Sequence, residues 1–305
     1  MTNSVSIEQL NQDFGIANQV KVVEGKGGFP VVEVINDKAT AQVSVYAAQV
    51  LSFRPVGEAT DLMFVSENAY YQTGKATKGG IPICWPWFGP DPEDKGRASH
   101  GFVRNRMWTL QGAESMPTGE TKVRLGMSPS EETLAIWPYQ FDLEMEVIVG
   151  EQLTVTLTTT NTGNESFSIT QAFHTYFSTG DINKVNVLGL DGKAYLDKPD
   201  GGKQKTQDGA IVVTEEVDRV YMDVPSELVI EDGGLGRRIR INSTGSKTAI
   251  VWNPWTEISQ KMTDLAADDY QRFICVETAN AADDVVEVGA DSAYQLKAVY
   301  SIEHG

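Results

Sequence analysis

Alternation of apolar and polar residues is the feature that most limits how this chain folds. Residues 41–47 (AQVSVYA) and 152–161 (QLTVTLTTTN) alternate clearly, and in the second segment Leu153, Val155 and Leu157 oppose a row of threonines. Successive side chains of a strand point to opposite faces, so this period of two indicates strands with one buried face. Clusters of glycine, asparagine, aspartate and proline separate these segments as turns do.

The same pattern recurs along the chain and predicts about a dozen strands. Further candidates are VKVVEG, FPVVEVI, DLMFVSE, TKVRLGM, FDLEMEVIVG, FSITQAFHTYF, KVNVLGL, AIVVTEEV, RRIRINS, KTAIVWN and AYQLKAVYSIE. Helical signals are few and fall in residues 6–15 and 256–269. Because helices do not alternate with strands, we predict an all-β fold, a sandwich of large, mostly antiparallel sheets with few short helices, rather than an α/β fold.

Nothing in the sequence divides the chain into parts. It contains no internal repeat, no low-complexity segment and no long linker, so we predict a single domain over residues 1–305. Residues 197–210 (DKPDGGKQKTQDGA) are polar and rich in glycine, which favours an exposed hairpin connection over a domain linker.

Acidic residues outnumber basic residues by 42 to 25, which gives a formal net charge of −17. Nucleic acids and anionic membranes are bound through clustered lysine and arginine, so we expect neither as a partner. No run of about 18 apolar residues occurs, and the N-terminal residues do not resemble a signal peptide. Cys84 and Cys275 are too few for a disulfide framework, although one bond between them stays open. We expect a cytoplasmic monomer.

Residues 78–90 (KGGIPICWPWFGP) are too rich in glycine, proline and aromatic residues to form a regular strand. They predict a rigid loop whose backbone can approach a ligand closely. Trp85, Trp87 and Phe88 offer apolar faces on which a sugar ring can stack. The alternative is that the same three rings close one end of the sandwich as core residues.

After this loop come the basic residues Lys95, Arg97, Arg104 and Arg106, with no acid between the first and the last of them. Arginine binds phosphate or carboxylate through two parallel hydrogen bonds, so the cluster predicts an anion site, with solvated surface pairs as the alternative. An extended HGFVRNRMW segment would place five side chains on one face, those of His100, Phe102, Arg104, Arg106 and Trp108.

Two further residues suit proton transfer. His174 ends an apolar run, where it is either a buried core residue or an acid–base group. Glu277 follows the buried pattern FICV, and a buried carboxylate must be paired, solvated or functional. Asp218 and Arg219 fit a surface pair or a ligand clamp equally well. No metal, phosphate-loop or dinucleotide motif occurs, so we expect no cofactor.

Six segments, KGGIPICWPWFGP, SHGFVRNRMW, QAFHTYF, VDRVY, VWNPW and FICVETAN, extend in this order from residue 78 to residue 280. Together they resemble the hexose-6-phosphate mutarotases, or glucose-6-phosphate 1-epimerases, a branch of the aldose 1-epimerase superfamily. The resemblance implies a β-supersandwich of the galactose mutarotase-like type that exchanges the α and β anomers of a phosphorylated aldohexose. It further implies His174 as general acid and Glu277 as general base, with the substrate bound by Lys78, Ser99, His100, Arg104 and Asp218.

Two positions depart from the pattern of that family. Lys78 stands where arginine is common, and Ser99 stands where glutamine is frequent. A lysine lacks the planar fork of arginine, which weakens the expected hold on phosphate unless Arg97 or Arg106 compensates. A mutarotase for non-phosphorylated aldoses and a non-catalytic carbohydrate-binding protein on the same fold therefore remain as alternatives.

Overall fold

The structure, a computed structural model, describes residues 6–304, and the all-β prediction is confirmed for them. The strands are β1 (Val20–Glu24), β2 (Pro30–Ile35), β3 (Ala39–Ser44), β4 (Gln49–Pro55), β5 (Ile83–Cys84), β6 (Thr109–Ser115), β7 (Thr121–Met127), β8 (Phe141–Val149), β9 (Leu153–Asn161), β10 (Phe167–Ile169), β11 (Gln171–Phe173), β12 (Tyr176–Ser178), β13 (Val185–Leu188), β14 (Ala194–Asp197), β15 (Lys203–Thr206), β16 (Ile211–Val212), β17 (Val217–Met222), β18 (Glu227–Asp232), β19 (Arg237–Thr244), β20 (Thr248–Asn253), β21 (Phe273–Asn280), β22 (Val286–Val288) and β23 (Ala293–His304).

Helices are short and few in the described range. The α-helices are α1 (Ile7–Phe14), α2 (Glu131–Ile136) and α3 (Trp255–Lys261), and the 3₁₀ helices are Lys26–Gly28, Val103–Asn105, Ile182–Lys184 and Asp269–Arg272. The prediction of a helix near the N-terminus is confirmed, and α3 occupies the first half of the second predicted helical segment. Within residues 6–304, no helix combines the length and the apolar character needed to cross a bilayer.

Two large antiparallel sheets dominate the fold. One has eight strands, in the order β15–β14–β17–β20–β21–β11–β5 with β12 also paired to β21, and the other has nine, in the order β16–β13–β18–β19–β23–β9–β8–β7–β6. Strands β1 to β4 form a separate four-stranded sheet, and β10 pairs with β22.

The eight-stranded and nine-stranded sheets pack face to face around a common core. The Phe177 ring (β12) meets the Tyr300 ring (β23) edge-on at a centroid distance of 5.3 Å. Next to β5, the Trp85 indole N–H donates a hydrogen bond to the Thr159 hydroxyl (β9). Alternation follows from this packing, because in β8 every second side chain enters the core and the intervening ones are more exposed.

One predicted strand, DLMFVSE, does not form. Its backbone makes only isolated bridges, from Met63 to Phe177 and from Val65 to Gly79. The Asp61 carboxylate accepts the backbone N–H groups of Met63 and Phe53, so a side chain takes a donor that a strand ladder needs.

Three other segments are less regular than their sequences predicted. AIVVTEEV contains only the two-residue strand β16 and the first residue of β17. FSITQAFHTYF divides into β10, β11 and β12, because the N–H groups of Thr170 and His174 bond to the carbonyls of Pro86 and Pro82. HGFVRNRMW is not an extended strand and contains the 3₁₀ helix Val103–Asn105, so its alternate residues do not share one face.

The predicted hairpin connection is confirmed. Residues 197–210 begin at the end of β14, turn at Pro199–Gly202 and return along β15, with most of their side chains exposed. Cys84 and Cys275 are both free and buried, so the disulfide left open by the sequence does not form.

Candidate active site

A cavity of about 230 Å³ opens on the face of the eight-stranded sheet that points away from the nine-stranded sheet. Strand register creates this face, because Asp218 lies opposite Trp252 and Glu277 lies opposite Ile250. The cavity is lined by Lys78, Phe88, His100, Arg104, His174, Tyr176, Lys198, Asp218, Ile250, Trp252, Met262 and Glu277.

Glu277 lies at the buried base of the cavity. All eight residues of its strand β21 are buried, and Glu277 is only 1% exposed. Its Oε2 atom has no hydrogen-bond partner among residues 6–304. A buried carboxylate oxygen without a partner is energetically unfavourable, so this residue is a candidate for a role beyond stability.

His174 lies beside Glu277, immediately after β11. Its Nδ1 atom is 3.5 Å from Oε1 of Glu277, and its ring stacks on Tyr176 at a centroid distance of 4.9 Å. A backbone hydrogen bond from His174 N–H to the Pro82 carbonyl fixes the chain at this point. The structure therefore brings together the two residues that the sequence assigned to proton transfer.

Burial disfavours the charged forms of both groups. It lowers the pKa of His174 well below the ordinary value, and His100, Arg104 and Lys78 lower it further by charge repulsion. Burial also raises the pKa of Glu277 well above the ordinary carboxyl value. These opposite shifts reduce the difference in proton affinity between an imidazole and a carboxylate, which suits transfer in either direction.

His100 enters the cavity from a loop in which its φ is 64°, an uncommon left-handed conformation. The Gly89 N–H donates to its Nδ1 atom at 3.2 Å, so the proton of the neutral ring lies on Nε2. Burial, followed by the charges of Arg104, Lys198 and Lys78, lowers the pKa of His100 to about 3. His100 is thus a neutral hydrogen-bond donor at neutral pH.

Three cationic side chains line the cavity, and each has a protein partner. Lys78 Nζ is 3.5 Å from the Asp264 carboxylate, and Lys198 Nζ is 3.4 Å from that of Asp218. Arg104 donates from Nη2 to the Ser99 carbonyl at 3.1 Å.

Sequence reasoning missed Lys198. It lies at the start of the segment interpreted as an exposed hairpin connection, and only the pairing of β14 with β17 brings it to the cavity. Asp218, whose backbone carbonyl accepts the Lys198 N–H at 3.0 Å, was identified from the sequence.

The aromatic loop divides between core and cavity. Trp85 is fully buried against Phe141, and Trp87 is 3% exposed and donates its indole N–H to the Ala98 carbonyl. The prediction that these two rings stack on a sugar is therefore wrong, because they close the end of the sandwich instead. Phe88 does line the cavity, with Lys198 Nζ 5.2 Å from its ring centroid.

Most of the basic cluster pairs with acids outside the cavity. Arg97 bonds to Asp91, and Arg106 Nη1 is 2.6 Å from the carboxylate of Glu132. Neither compensates for the lysine at position 78.

Ser99 is exposed, and its side chain does not line the cavity. Its carbonyl oxygen instead accepts the hydrogen bond from Arg104. Across residues 6–304, no group of three or more His, Cys, Asp or Glu side chains is arranged to hold a metal ion.

Comparison with solved structures places this architecture in the galactose mutarotase-like class. The fold of a galactose mutarotase-like protein from Clostridium acetobutylicum matches with a TM-score of 0.74 at 12% identity, covering 97% of this chain and 100% of that one. A "putative mutarotase" from Salmonella typhimurium matches with a TM-score of 0.88 at 30% identity, covering 96% of each chain.

The sequence profile of the aldose 1-epimerase family matches residues 30–301, and the chain belongs to this family of isomerases. Several relatives carry the name "putative glucose-6-phosphate 1-epimerase", including proteins from Escherichia coli K12 and Cenchrus ciliaris. The one from Escherichia coli K12 is 35% identical over 254 residues, which is 83% of this chain and 84% of that protein. The one from Cenchrus ciliaris is 36% identical over 248 residues, 78% and 74% of the two chains.

Proposed function

We propose that this protein interconverts the α and β anomers of a hexose 6-phosphate, with glucose 6-phosphate as the first candidate. The observation that carries the proposal is the His174–Glu277 pair, 3.5 Å apart, in a cavity that also contains Lys78, Arg104 and Lys198. The names of the two relatives and the family membership support the same reaction and substrate.

The reaction needs one base and one acid on the same sugar. Glu277 as carboxylate removes the proton from the C1 hydroxyl, and His174 gives a proton to the ring oxygen. The ring opens to the aldehyde, the C1–C2 bond rotates, and the two transfers reverse on the other face of the carbonyl. Because every proton is returned, the side chains alone complete the cycle.

A phosphate group explains the cations of the cavity and assists the acid. Arg104 can hold two phosphate oxygens in its planar fork, while the lysines act as point charges. Burial lowers the pKa of His174 in the free protein, and the charges of Arg104 and Lys78 add to this effect. A bound phosphate neutralises these cations, so His174 is protonated more readily when the correct substrate is present.

We expect Glu277→Gln and His174→Asn each to lower kcat for anomer exchange by about 10²-fold or more, because each removes one proton-transfer group. Exchange is followed by NMR on glucose 6-phosphate and on free glucose, with circular dichroism to verify folding. Tyr176→Phe, which keeps the ring that stacks on His174 and lies within the same lining, is the matched control and retains most activity. Near-native rates in either substituted enzyme would reject its assigned role, and no acceleration of either sugar by the native protein would reject the proposed function.

A mutarotase for neutral aldoses is the second candidate. It is favoured by the ion pairs Lys78–Asp264 and Lys198–Asp218, which compensate two of the three cations without any ligand. The comparison of kcat/KM for glucose 6-phosphate and free glucose decides between the two candidates. A higher value for free glucose would select the neutral substrate.

A further inference from the structure

We propose that Asp264 is the counter-ion that a phosphate group must displace from Lys78, and that it thereby sets the selectivity between phosphorylated and neutral hexoses. This inference rests on the proposed function of the same cavity. It concerns a residue that lies behind the cavity lining and that belongs to none of the six segments on which the family resemblance depends.

The contact between the two side chains is direct and largely shielded from water. Asp264 Oδ2 is 3.5 Å from Lys78 Nζ, and the two side chains are 21% and 18% exposed. Lys78 Nζ also lies 6.0 Å from the ring centroid of Trp252, another residue of the lining. A phosphate that reaches Lys78 therefore arrives close to a carboxylate of the same sign.

Contacts of the neighbouring residues hold the segment around Asp264 in place. The Thr263 hydroxyl bonds to the Tyr70 hydroxyl at 2.6 Å, and Leu265 is 3% exposed within an apolar cluster. One residue further, the Ala266 N–H donates to Asp269 at 2.8 Å. The position of Asp264 opposite Lys78 is thus built into the segment between α3 and the last 3₁₀ helix.

The charges of the site balance when Asp264 is counted. Three cations, Lys78, Arg104 and Lys198, face three carboxylates, Asp218, Glu277 and Asp264. A dianion that binds Lys78 and Lys198 competes with the carboxylates paired to them, and repulsion from those carboxylates reduces its attraction to the two cations. A neutral hexose leaves the Lys78–Asp264 pair intact, so Asp264 acts selectively against the phosphorylated ligand.

Asp264→Asn removes the competing charge with little change in shape. We expect the dissociation constant for inorganic phosphate, measured by calorimetry, to fall about threefold or more, as expected for the loss of one partly exposed ion pair. The KM for glucose 6-phosphate falls by a similar factor, and the ratio of the KM for free glucose to that for glucose 6-phosphate rises. Asp264→Ala is also expected to lower the dissociation constant for phosphate.

Two controls separate this effect from general changes in charge. Asp268→Asn removes one negative charge from an exposed position of the same segment and leaves phosphate affinity unchanged. In a Lys78→Gln background, Asp264→Asn increases phosphate affinity by a smaller factor, because the cation that it would release is absent and only the repulsion between Asp264 and phosphate remains to be removed.

The inference is overturned if Asp264→Asn leaves phosphate affinity unchanged or weakens it, or if Asp268→Asn gives an equal gain. It is also overturned if the gain is undiminished in the Lys78→Gln background. Phosphate binding can be measured without turnover. The proposed function and the proposed role of Asp264 are therefore tested by independent measurements. Missing anomer exchange with an intact affinity gain rejects the proposed function, whereas normal exchange without the gain rejects only the role of Asp264.

Discussion

At the residue scale, the environment of Glu277 determines when the proposed base is ionised. Burial raises the pKa of its carboxyl group, and among the charges of the cavity Lys198 opposes this effect most strongly. Asp218 raises the pKa further, while Arg104 lowers it. Lys198 is therefore placed to control the charge of Glu277 as well as to bind an anion.

The pH dependence of kcat/KM tests this control by Lys198. A base works when it is ionised, so activity is lost as the pH falls through the pKa of Glu277. Because burial raises that pKa, the acid limb lies above the ordinary carboxyl pKa of about 4.3. Lys198→Gln removes the opposing cation, so we expect the limb to move to higher pH by about half a unit or more.

Lys203→Gln is the matched control for this profile. Lys203 belongs to the same hairpin, and its side chain is 71% exposed and pairs with Asp200 outside the cavity. The phosphate of the substrate itself ionises near pH 6, but this contribution is common to all variants and cancels in the comparison. An equal shift in both variants, or a shift of the Lys198→Gln limb to lower pH, would contradict the role assigned to Lys198.

At the element scale, the segment between β5 and β6 shows how loops build the site. His100 N–H bonds to the Gly89 carbonyl at 2.7 Å, and Phe102 N–H bonds to the Trp85 carbonyl at 3.1 Å. Between them, Gly101 has a φ of 71°, and a Cβ atom at this residue would lie 1.7 Å from the Trp85 carbonyl oxygen. The close approach of two backbones thus positions His100.

Gly101→Ala is expected to lower the free energy of unfolding by about 2 kcal/mol or more, since it adds a backbone clash to an unfavourable φ. Gly96→Ala in the same loop is the control, because Gly96 has a φ of 76° but open space around its Cβ position. Its expected loss is about 1 kcal/mol, the cost of the conformation alone. Urea unfolding measures both values, and equal losses would show that the backbone contact contributes nothing.

At the scale of the whole molecule, one core connects both large sheets. The main cluster of buried apolar side chains contains residues from Leu10 to Tyr300 and includes both faces of the sheet interface. A division of the chain into independent units would require a boundary that this cluster does not cross. A single domain with one shared core is expected to unfold cooperatively.

We expect one unfolding transition in urea, with coincident midpoints for far-ultraviolet circular dichroism and tryptophan fluorescence. Phe177→Ala removes a fully buried ring between the sheets and should destabilise the protein by about 3–5 kcal/mol, moving both midpoints together. Val56→Ala is the control, because Val56 is 70% exposed. Two separated transitions, or a shift of only one probe, would contradict a single cooperative domain.

Much of the fold and the central pair of the site followed from the sequence. Alternation is a local property of strands, so the all-β class was predictable, and the family resemblance was confirmed by the profile match over residues 30–301. The roles of His174 and Glu277 remain predictions, but their convergence on one cavity agrees with them. Where a side chain took over backbone hydrogen bonds, as Asp61 does, the local pattern predicted a strand that does not form.

By itself, the sequence determined which segments extend as strands and which residue types were present for proton transfer and anion binding. The tertiary structure alone decided that Trp85 and Trp87 belong to the core, that Lys198 and Asp264 flank the cavity, and that Arg106 is paired elsewhere. The physical reason is the sequence separation over which each property is determined. Strand periodicity depends on neighbouring residues, whereas burial and ion pairing depend on contacts between strands and loops far apart in the chain, as between residues 78 and 264.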